Sequence, residues 1–440
     1  MTRPTDIITS PPPIAWRASE DDETAEQGVI TVPVDWTAPD GPTMERTVFR
    51  RRARRQDERI GVLFIRYFMP LEFEALRLSD TLKDRFDLVG FDPWPQNCAP
   101  AGKVPSSGPR NAEEYQRLRE YVAARTRETL DKDPATVLHA DAVSDARDIE
   151  VVRRALCEEQ LNFISSRENE LVGQHYCELY GDRVRTMVLD GNLDHSVTTL
   201  KDYLVAKAGA VNDVFLAFAD WAERTPGNAL YGLDARATFL EARERWRRKA
   251  PIIGERLMTA KVGGMVDPAE QPGEHNWHGL AKIVLDAAEG TLDPRNLDEP
   301  LTIYASFGAD FGFQTPAWDD VLDIKTAMAE RAPYSLNNPM QWGNAMGIQG
   351  WSAPVVNPPR PLVIDRPLPV LVVRTRFDPG QPYEWGESVA SQIPGATVIT
   401  YEGAGTTAYN LSRPAREAID DFLTDLTPPA ATSFPAVWPS

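Results

Sequence analysis

Residues 161–196, LNFISSRENELVGQHYCELYGDRVRTMVLDGNLDHS, decide the fold of this chain. Two short apolar runs, at 161–165 and 184–189, are typical of buried strands. Between them, residues 169–179 carry apolar side chains at helical spacing. A strand, a helix and a second strand in this order predict a parallel crossover unit, because parallel neighbours need a long connection between them.

The same alternation extends outward in both directions. Further buried strands are predicted at 60–65, 86–91, 368–374 and 396–401, and further helices at 71–83, 112–129, 140–157, 384–391 and 413–423. Residues 27–36 alternate apolar and polar side chains, meet a Pro-Asp-Gly-Pro turn and return at 44–52, which predicts a hairpin at a sheet edge. The predicted fold class is α/β, a mostly parallel, doubly wound sheet with its sites at the carboxyl ends of the strands.

One segment breaks the alternation. From 195 to 360 the pattern is mainly helical, with predicted helices at 201–223, 235–248 and 279–288, and aromatic residues are frequent. Most of these aromatic side chains are expected to form the core of a helical cap, and a few to line a cleft. The predicted organisation is a core at 1–194, an inserted cap at 195–360 and the rest of the core at 361–440.

Composition excludes several classes of protein. The 440 residues include 65 Asp and Glu against 47 Lys and Arg, a net charge of −18, whereas nucleic-acid binding needs a basic face. Three cysteines make a poor disulfide framework, and we find no apolar leader and no apolar run of membrane-spanning length. No glycine-rich nucleotide motif occurs, and His275 with His278 is a weak metal signal. We therefore expect a cytoplasmic protein without cofactor, metal, nucleic acid or membrane.

Five short motifs carry a resemblance to a known family. They are VPVDW at 32–36, FDP at 91–93, YGDRVR at 180–185, VLDGNLDHS at 188–196 and FDP at 377–379. With the predicted order of elements, they make the sequence similar over nearly its whole length to the α/β-hydrolases of the tripeptidyl-aminopeptidase-like group of actinomycetes. The resemblance implies an α/β-hydrolase fold with an inserted cap. In active members it also implies a Ser-His-Asp triad that cleaves peptides or esters.

The sequence departs from this family at the triad itself. The Gly-x-Ser-x-Gly elbow falls on 165–169, where Arg167 takes the place of the nucleophile and Ser165 and Asn169 replace the glycines. A slip of one residue would put Ser166 at the tip. Thr406 stands where the histidine is expected, and threonine is no base near neutral pH. Only the aspartate is kept, as Asp378.

The loops expected to form the oxyanion hole have also changed. Residues 66–73 and 94–98 contain no glycine and several bulky or aromatic residues. Secreted relatives carry disulfide cysteines near positions 18, 27, 305 and 348, and none of these is cysteine here, which implies a reducing compartment. The loss of four independent elements makes serine hydrolysis an unfavoured interpretation.

Topology predicts which residues surround the remodelled site. Arg167 offers a permanent charge and five donors for an enolate, phenolate or carboxylate, and Asp378 is either a base or the structural ion-pair partner of Arg167. The catalytic candidates are Arg167, Asp378, Tyr67 and Tyr409. The candidates for substrate binding are Phe68, Trp94, Gln96, Asn97, Glu168, His195, Thr406 and Thr407. For His195, which belongs to a family motif, a structural role is favoured, and for Cys98 a plain apolar role is favoured over nucleophilic catalysis.

Three functional hypotheses follow. The first is a cofactor-independent, non-hydrolytic enzyme that catalyses acid/base-assisted cyclisation or C–C bond formation of the Michael or aldol type on a bulky aromatic or polyketide-derived intermediate. It rests on resemblance to degenerate members of this fold that act as cyclases in actinomycete natural-product pathways, including those of anthraquinone-fused enediynes. The second is a pseudo-hydrolase that binds or sequesters a hydrophobic small molecule. The third is a residual serine peptidase or esterase using Ser165 or Ser166. A monomer or a homodimer is expected.

Overall fold

A computed structural model describes residues 11–18, 25–66, 78–91, 97–249, 277–291, 301–315, 317–334 and 339–438. Within them, the predicted crossover unit is confirmed as strand β7 (Leu161–Ser166), helix α5 (Glu170–Tyr180) and strand β8 (Val184–Asp190). The two strands are parallel neighbours. A Cβ added at Gly173 of α5 would lie 2.9 Å from Leu189 Cδ2, so glycine allows the helix to lie close on the sheet.

The unit belongs to a ten-stranded sheet in the order β1-β2-β3-β5-β4-β7-β8-β10-β11-β12. The pairs among β1, β2, β3 and β5 are antiparallel, and all the others are parallel, as the sequence predicts. The remaining strands of this sheet are β1 Arg17–Ala18, β2 Glu26–Pro33, β3 Thr43–Arg51, β4 Gly61–Arg66, β5 Phe86–Phe91, β10 Val370–Phe377, β11 Thr397–Ala404 and β12 Ser433–Phe434.

Helices cover both faces of the sheet, as expected for a doubly wound fold. One apolar cluster joins Phe163 and Leu189 to α5, and a second joins Ile164 and Val188 to the last long helix. The helices outside the cap are α1 Asp80–Arg85, α2 Ala112–Lys132, α3 Ala135–Leu138, α4 Ala142–Ala155, α12 Tyr383–Gln392, α13 Ala408–Leu411 and α14 Arg413–Asp425. The helix predicted over 71–83 falls largely outside the described residues.

Between β8 and β10 the described chain is mainly helical. Its helices are α6 Leu200–Arg224, α7 Ala235–Lys249, α8 Trp277–Glu289, α9 Ala305–Asp310, α10 Trp318–Arg331 and α11 Pro339–Gly347. The last three were not predicted. Phe215, Phe218 and Trp277 are buried together in one apolar cluster, which is the structural role expected for most of these aromatic residues.

Two smaller features join this helical segment to other parts of the chain. Strands β6 (Asn97–Cys98) and β9 (Ile303–Tyr304) form a separate antiparallel pair. Near the C-terminus, the Trp438 ring lies 5.3 Å from that of Trp277 and 5.9 Å from that of Phe377. Of the helices in the described residues, none combines the length and the apolar character that a membrane crossing requires.

Candidate active site

The turn between β7 and α5 keeps the shape of a nucleophile elbow without its glycines. Arg167 has φ +57, in the left-handed region that residues with a Cβ rarely adopt. Asn169, which replaces the second elbow glycine, has φ −71. The backbone strain therefore sits at the residue that occupies the position of the nucleophile, which is typical of a functional turn.

The Arg167 side chain bridges to the loop that carries the histidine in active relatives. Its Nη2 donates a hydrogen bond to Thr406 Oγ1. Thr406 follows β11 and is largely buried, and the next residue, Thr407, has φ +66. In an active triad, a Ser–His hydrogen bond joins these two positions. Here an Arg–Thr hydrogen bond joins them.

Asp378 lies one residue beyond β10 and has one oxygen available for chemistry. Its Oδ1 accepts hydrogen bonds from the backbone N–H groups of Gly380 (2.7 Å) and Gln381 (3.0 Å). Its Oδ2 is buried and accepts no hydrogen bond from the described part of the chain. Burial raises the pKa of Asp378 to about 6, although the two N–H donors and the charges of Arg167 and Lys207 lower it. A carboxylate whose pKa lies near neutrality is suited to general base catalysis.

Arg167 and Asp378 meet around a glycine. A Cβ added to Gly191, which has φ +101, would lie 3.5 Å from Asp378 Oδ2 and 3.8 Å from the Arg167 backbone nitrogen. The side chain of Gln381 borders the same point, with Cγ at 3.9 Å. Gly191 therefore leaves space between the retained carboxylate and the elbow.

Asp190, at the end of β8, is a second buried carboxyl that sequence reasoning did not assign. Its Oδ1 accepts from the backbone N–H of Ala408 and its Oδ2 from that of Tyr409, each at 2.9 Å. Burial raises its pKa to about 7, with a further rise from the charge of Asp378, while those N–H groups and Arg167 lower it. The carboxylate holds the start of α13, and thereby the Thr406 loop. The sequence feature that could have identified Asp190 was its position directly after the strand predicted at 184–189.

Lys207 is a second buried residue near Asp378 that the sequence analysis missed. It is fully buried on helix α6, in the helical segment between β8 and β10, and its Nζ donates to the Gly380 carbonyl (2.5 Å) and to Gln381 Oε1 (3.0 Å). A lysine among the apolar residues of one helical face was the signal that could have found it.

Several predicted residues lie away from Arg167. The Tyr409 hydroxyl donates to Asp420 Oδ1 (2.9 Å) and accepts from the Ser79 N–H (3.0 Å), and burial raises its pKa. Tyr409 belongs to the apolar cluster that contacts the last helix, and these contacts do not support its predicted role as a catalytic base.

His195 has a structural environment. Its Nε2 hydrogen-bonds to the Asp310 carbonyl at 2.8 Å, and its ring meets Phe311 edge to face. Burial and the neighbouring His175 lower the pKa of His195 to about 3, so the ring is neutral. The structural role favoured from the sequence agrees with these contacts, and the predicted contact with substrate does not.

The remaining predicted residues divide into three groups. Asn97 is exposed on β6 and pairs with Tyr304 of β9. Thr407 is buried next to Thr406, and its Oγ1 accepts from Asn410 Nδ2 at 3.2 Å. Ser165 and Ser166 are buried within β7, and burial raises the pKa of the Cys98 thiol, which disfavours a nucleophilic thiolate. The predicted residues that fall outside the described ones are Tyr67, Phe68, Trp94, Gln96 and the side chain of Glu168.

A buried ion-pair network lies at the start of the loop that follows β4. Arg66 Nη2 contacts Asp145 Oδ2 at 2.6 Å, and Arg46 Nη1 contacts Asp145 Oδ1 at the same distance. Burial would raise the pKa of Asp145, but these two charges lower it well below its usual range. Arg66 is therefore engaged by Asp145. Within the described ranges, no cluster of three or more histidine, cysteine or acidic side chains is arranged to hold a metal ion.

Comparison with known proteins agrees with the architecture. Residues 332–434 match the family model of TAP-like protein. The chain is 25% identical to serine protease Hip1 of Mycobacterium tuberculosis, covering 90% of this chain and 84% of that protein. It is also 25% identical to the tripeptidyl aminopeptidase of Streptomyces lividans, covering 86% and 77% of the two chains. Among solved structures, an α/β-hydrolase-fold protein from Nakamurella multipartita is 12% identical with a TM-score of 0.37, covering 90% of this chain and 99% of that one.

The strand order and the match to the family model of TAP-like protein together assign the α/β-hydrolase fold. Over most of its length, the chain is similar to enzymes that are named proteases, peptidases and, for carboxylesterase B of Mycobacterium tuberculosis at 25% identity, an esterase.

Proposed function

We propose that this chain is a non-hydrolytic, cofactor-independent enzyme on an α/β-hydrolase scaffold. The observation that carries the proposal is the buried Oδ2 of Asp378, which accepts no hydrogen bond from the described residues, near the strained elbow whose tip is Arg167. A carboxylate with a pKa of about 6 can take a proton near neutral pH, and the positive charge of Arg167, which lowers that pKa, can stabilise the anion that results.

The same two positions disfavour acyl transfer. Serine hydrolysis needs a nucleophile at the elbow tip and a base that removes its proton. Here the tip is Arg167 and the expected base is Thr406, whose hydroxyl accepts a hydrogen bond from the arginine. A permanently charged guanidinium is neither nucleophile nor base, but it is a preorganised donor for an oxyanion.

The proposed reaction is an intramolecular carbon–carbon bond formation of the Michael or aldol type. Asp378 removes a proton from a carbon or phenol acid of the substrate, and Arg167 stabilises the enolate or phenolate. The carbanion carbon then bonds to an electrophilic carbon of the same molecule, and the proton held by Asp378 returns to the product. No co-reactant is required. The substrate class, a bulky aromatic or polyketide-derived molecule, rests on the resemblance of the sequence to degenerate cyclases of this fold.

The chemistry can be tested with two probes. Alizarin, an anthraquinone whose colour reports ionisation of its phenol, should bind with a lowered phenol pKa, and Arg167→Ala should abolish that shift. An anthraquinone bearing a β-diketone side chain, incubated in D₂O, should exchange its acidic carbon-bound hydrogen faster with the enzyme than without it. Asp378→Asn should remove that acceleration.

Arg127→Ala, an exposed arginine of α2, is the matched control for charge removal and should leave both results unchanged. Binding of alizarin without accelerated exchange would favour the sequestering pseudo-hydrolase. Exchange that survives in Asp378→Asn would refute Asp378 as the base.

A second candidate function is a residual serine peptidase or esterase, which the names of the relatives favour. A fluorophosphonate probe tests it directly, because the probe labels activated serines. Since Ser165 and Ser166 are almost fully buried in β7, we expect no labelling. Labelling that is lost in Ser166→Ala would support hydrolysis and overturn the proposal above.

A further inference from the structure

Cap helix α6 carries a charge at a core position. Lys207 lies on the same helical face as Tyr203, Leu204 and Val211, and all four residues are buried. Burial of an ammonium group costs several kcal/mol unless hydrogen bonds and charges compensate it. A lysine at this position therefore requires specific partners.

Those partners belong to the turn that follows Asp378. The ammonium donates to the Gly380 carbonyl at 2.5 Å and to Gln381 Oε1 at 3.0 Å. It also lies 5.0 Å from the centre of the Trp385 ring, a favourable cation–π distance. The backbone N–H groups of Gly380 and Gln381 in turn hold Asp378 Oδ1. One short turn is thus bound to the carboxylate by its N–H groups and to the cap by its oxygen atoms.

We propose that Lys207 is a positioning residue through which the cap orients the Asp378 carboxylate and favours its charged form. The inference rests on the proposed function only in taking Asp378 as the base. The hydrogen bonds of residues 380 and 381 connect helix α6 to the Asp378 carboxylate whether or not the site catalyses a reaction.

The electrostatic surroundings of Asp378 support this role. Burial raises the pKa of Asp378, whereas the charges of Lys207, on the cap, and Arg167, at the elbow, lower it. The third charged group is Asp190 on β8, and its pKa rises through the charge of Asp378. Two cations from different elements therefore act on one carboxylate, and Lys207 also contacts its turn through hydrogen bonds.

The test measures the pKa of Asp378 without using activity. The protein is labelled with carbon-13 in the aspartate carboxyl groups, and the Asp378 signal is identified by its loss in Asp378→Asn. Lys207→Met removes the charge and the donors. It should raise the Asp378 pKa by about one pH unit or more, the usual effect of a nearby opposite charge. Lys207→Arg should keep the pKa close to that of the wild type.

Two further variants keep the result decisive. Lys207→Gln removes the charge but retains a donor, and it replaces Lys207→Met if that variant does not fold. Lys201→Met removes an exposed lysine of the same helix and should not move the titration. An unchanged Asp378 pKa in a folded Lys207→Met or Lys207→Gln variant would overturn the proposal. Because the titration needs no substrate, its outcome is independent of whether the proposed reaction occurs.

Discussion

The strain at the elbow leads to a stability prediction that compares two substitutions at one position. Arg167→Gly and Arg167→Ala both remove the guanidinium and its hydrogen bond to Thr406, so those losses cancel in the comparison. The two variants differ in how well they tolerate φ +57. We therefore expect the glycine variant to be the more stable of the pair.

The magnitude follows from two opposing contributions. A residue with a Cβ in the left-handed region costs about 1–2 kcal/mol relative to glycine. The greater freedom of glycine in the unfolded chain returns about 0.4–1 kcal/mol in favour of alanine. The free energy of unfolding of Arg167→Gly should therefore exceed that of Arg167→Ala by roughly 0.5–1 kcal/mol, the difference between these two contributions.

Urea unfolding at pH 7, followed by circular dichroism, measures this difference. The control pair is Arg127→Gly and Arg127→Ala, in the middle of helix α2, where the backbone is helical and the side chain is exposed. There glycine should be less stable than alanine by about 1 kcal/mol, the opposite sign. If Arg167→Ala proved as stable as Arg167→Gly or more so, the elbow would not be strained and the argument for a retained nucleophile turn would fail.

Three further predictions concern stability. The pKa of Asp378 is raised to about 6, above its unfolded value, so the stability that this carboxyl contributes is present below about pH 4 and is lost as the pH rises through 6. The unfolding free energy of Asp378→Asn should therefore gain roughly 2 kcal/mol on that of the wild type between pH 4 and 7 in urea titrations, and a constant difference would contradict this. Tyr409→Phe removes one of the hydroxyl donors of the buried Asp420 and should cost about 1–3 kcal/mol of unfolding free energy, with alizarin binding unchanged. A binding defect in the folded variant would return Tyr409 to the site. Gly173→Ala should lower the free energy of unfolding by about 1–3 kcal/mol because the added Cβ has no room against the sheet. The control, Gly343→Ala, has nothing within 4 Å of its added Cβ and should be neutral or stabilising. Equal melting temperatures for the two variants would contradict that packing.

The sequence predicted the sheet well because its strands depend on local pattern. Short apolar runs bounded by turns can be buried on both faces only in a parallel sheet, so the alternation determined both strand type and layer order. The hairpin at the edge was equally visible. Helices α9 and α11 were missed because they are short and contain glycine, so their stability comes from packing rather than from helical propensity. Helix α10 was overlooked although its buried residues Val321, Ile324 and Met328 follow helical spacing.

The site was predictable only where topology fixes a residue at the end of a strand. Arg167 and Asp378 follow β7 and β10 directly, and the structure brings them together around Gly191. Lys207 was missed because a lysine on a helix normally indicates a solvent-exposed face, and its role depends on a turn far away in the chain. The predicted role of Tyr409 as a base finds no support because its hydroxyl contacts Asp420 and Ser79, on the side of the sheet that the last helix covers.

The strained elbow also bears on how easily this scaffold changes its chemistry. The backbone geometry that holds a residue at φ +57 depends on the whole turn and its neighbours. The type of residue at that position, in contrast, can change by mutation of a single codon. The bend, the aspartate and a hydrogen bond across the gap between elbow and loop are all present here. In mutational terms, two substitutions, Arg167→Ser and Thr406→His, separate this chain from a complete Ser-His-Asp set on an unchanged backbone. The proposed proton-transfer site and a Ser-His-Asp triad are then neighbours in sequence space, even though acyl transfer would also need a rebuilt oxyanion hole.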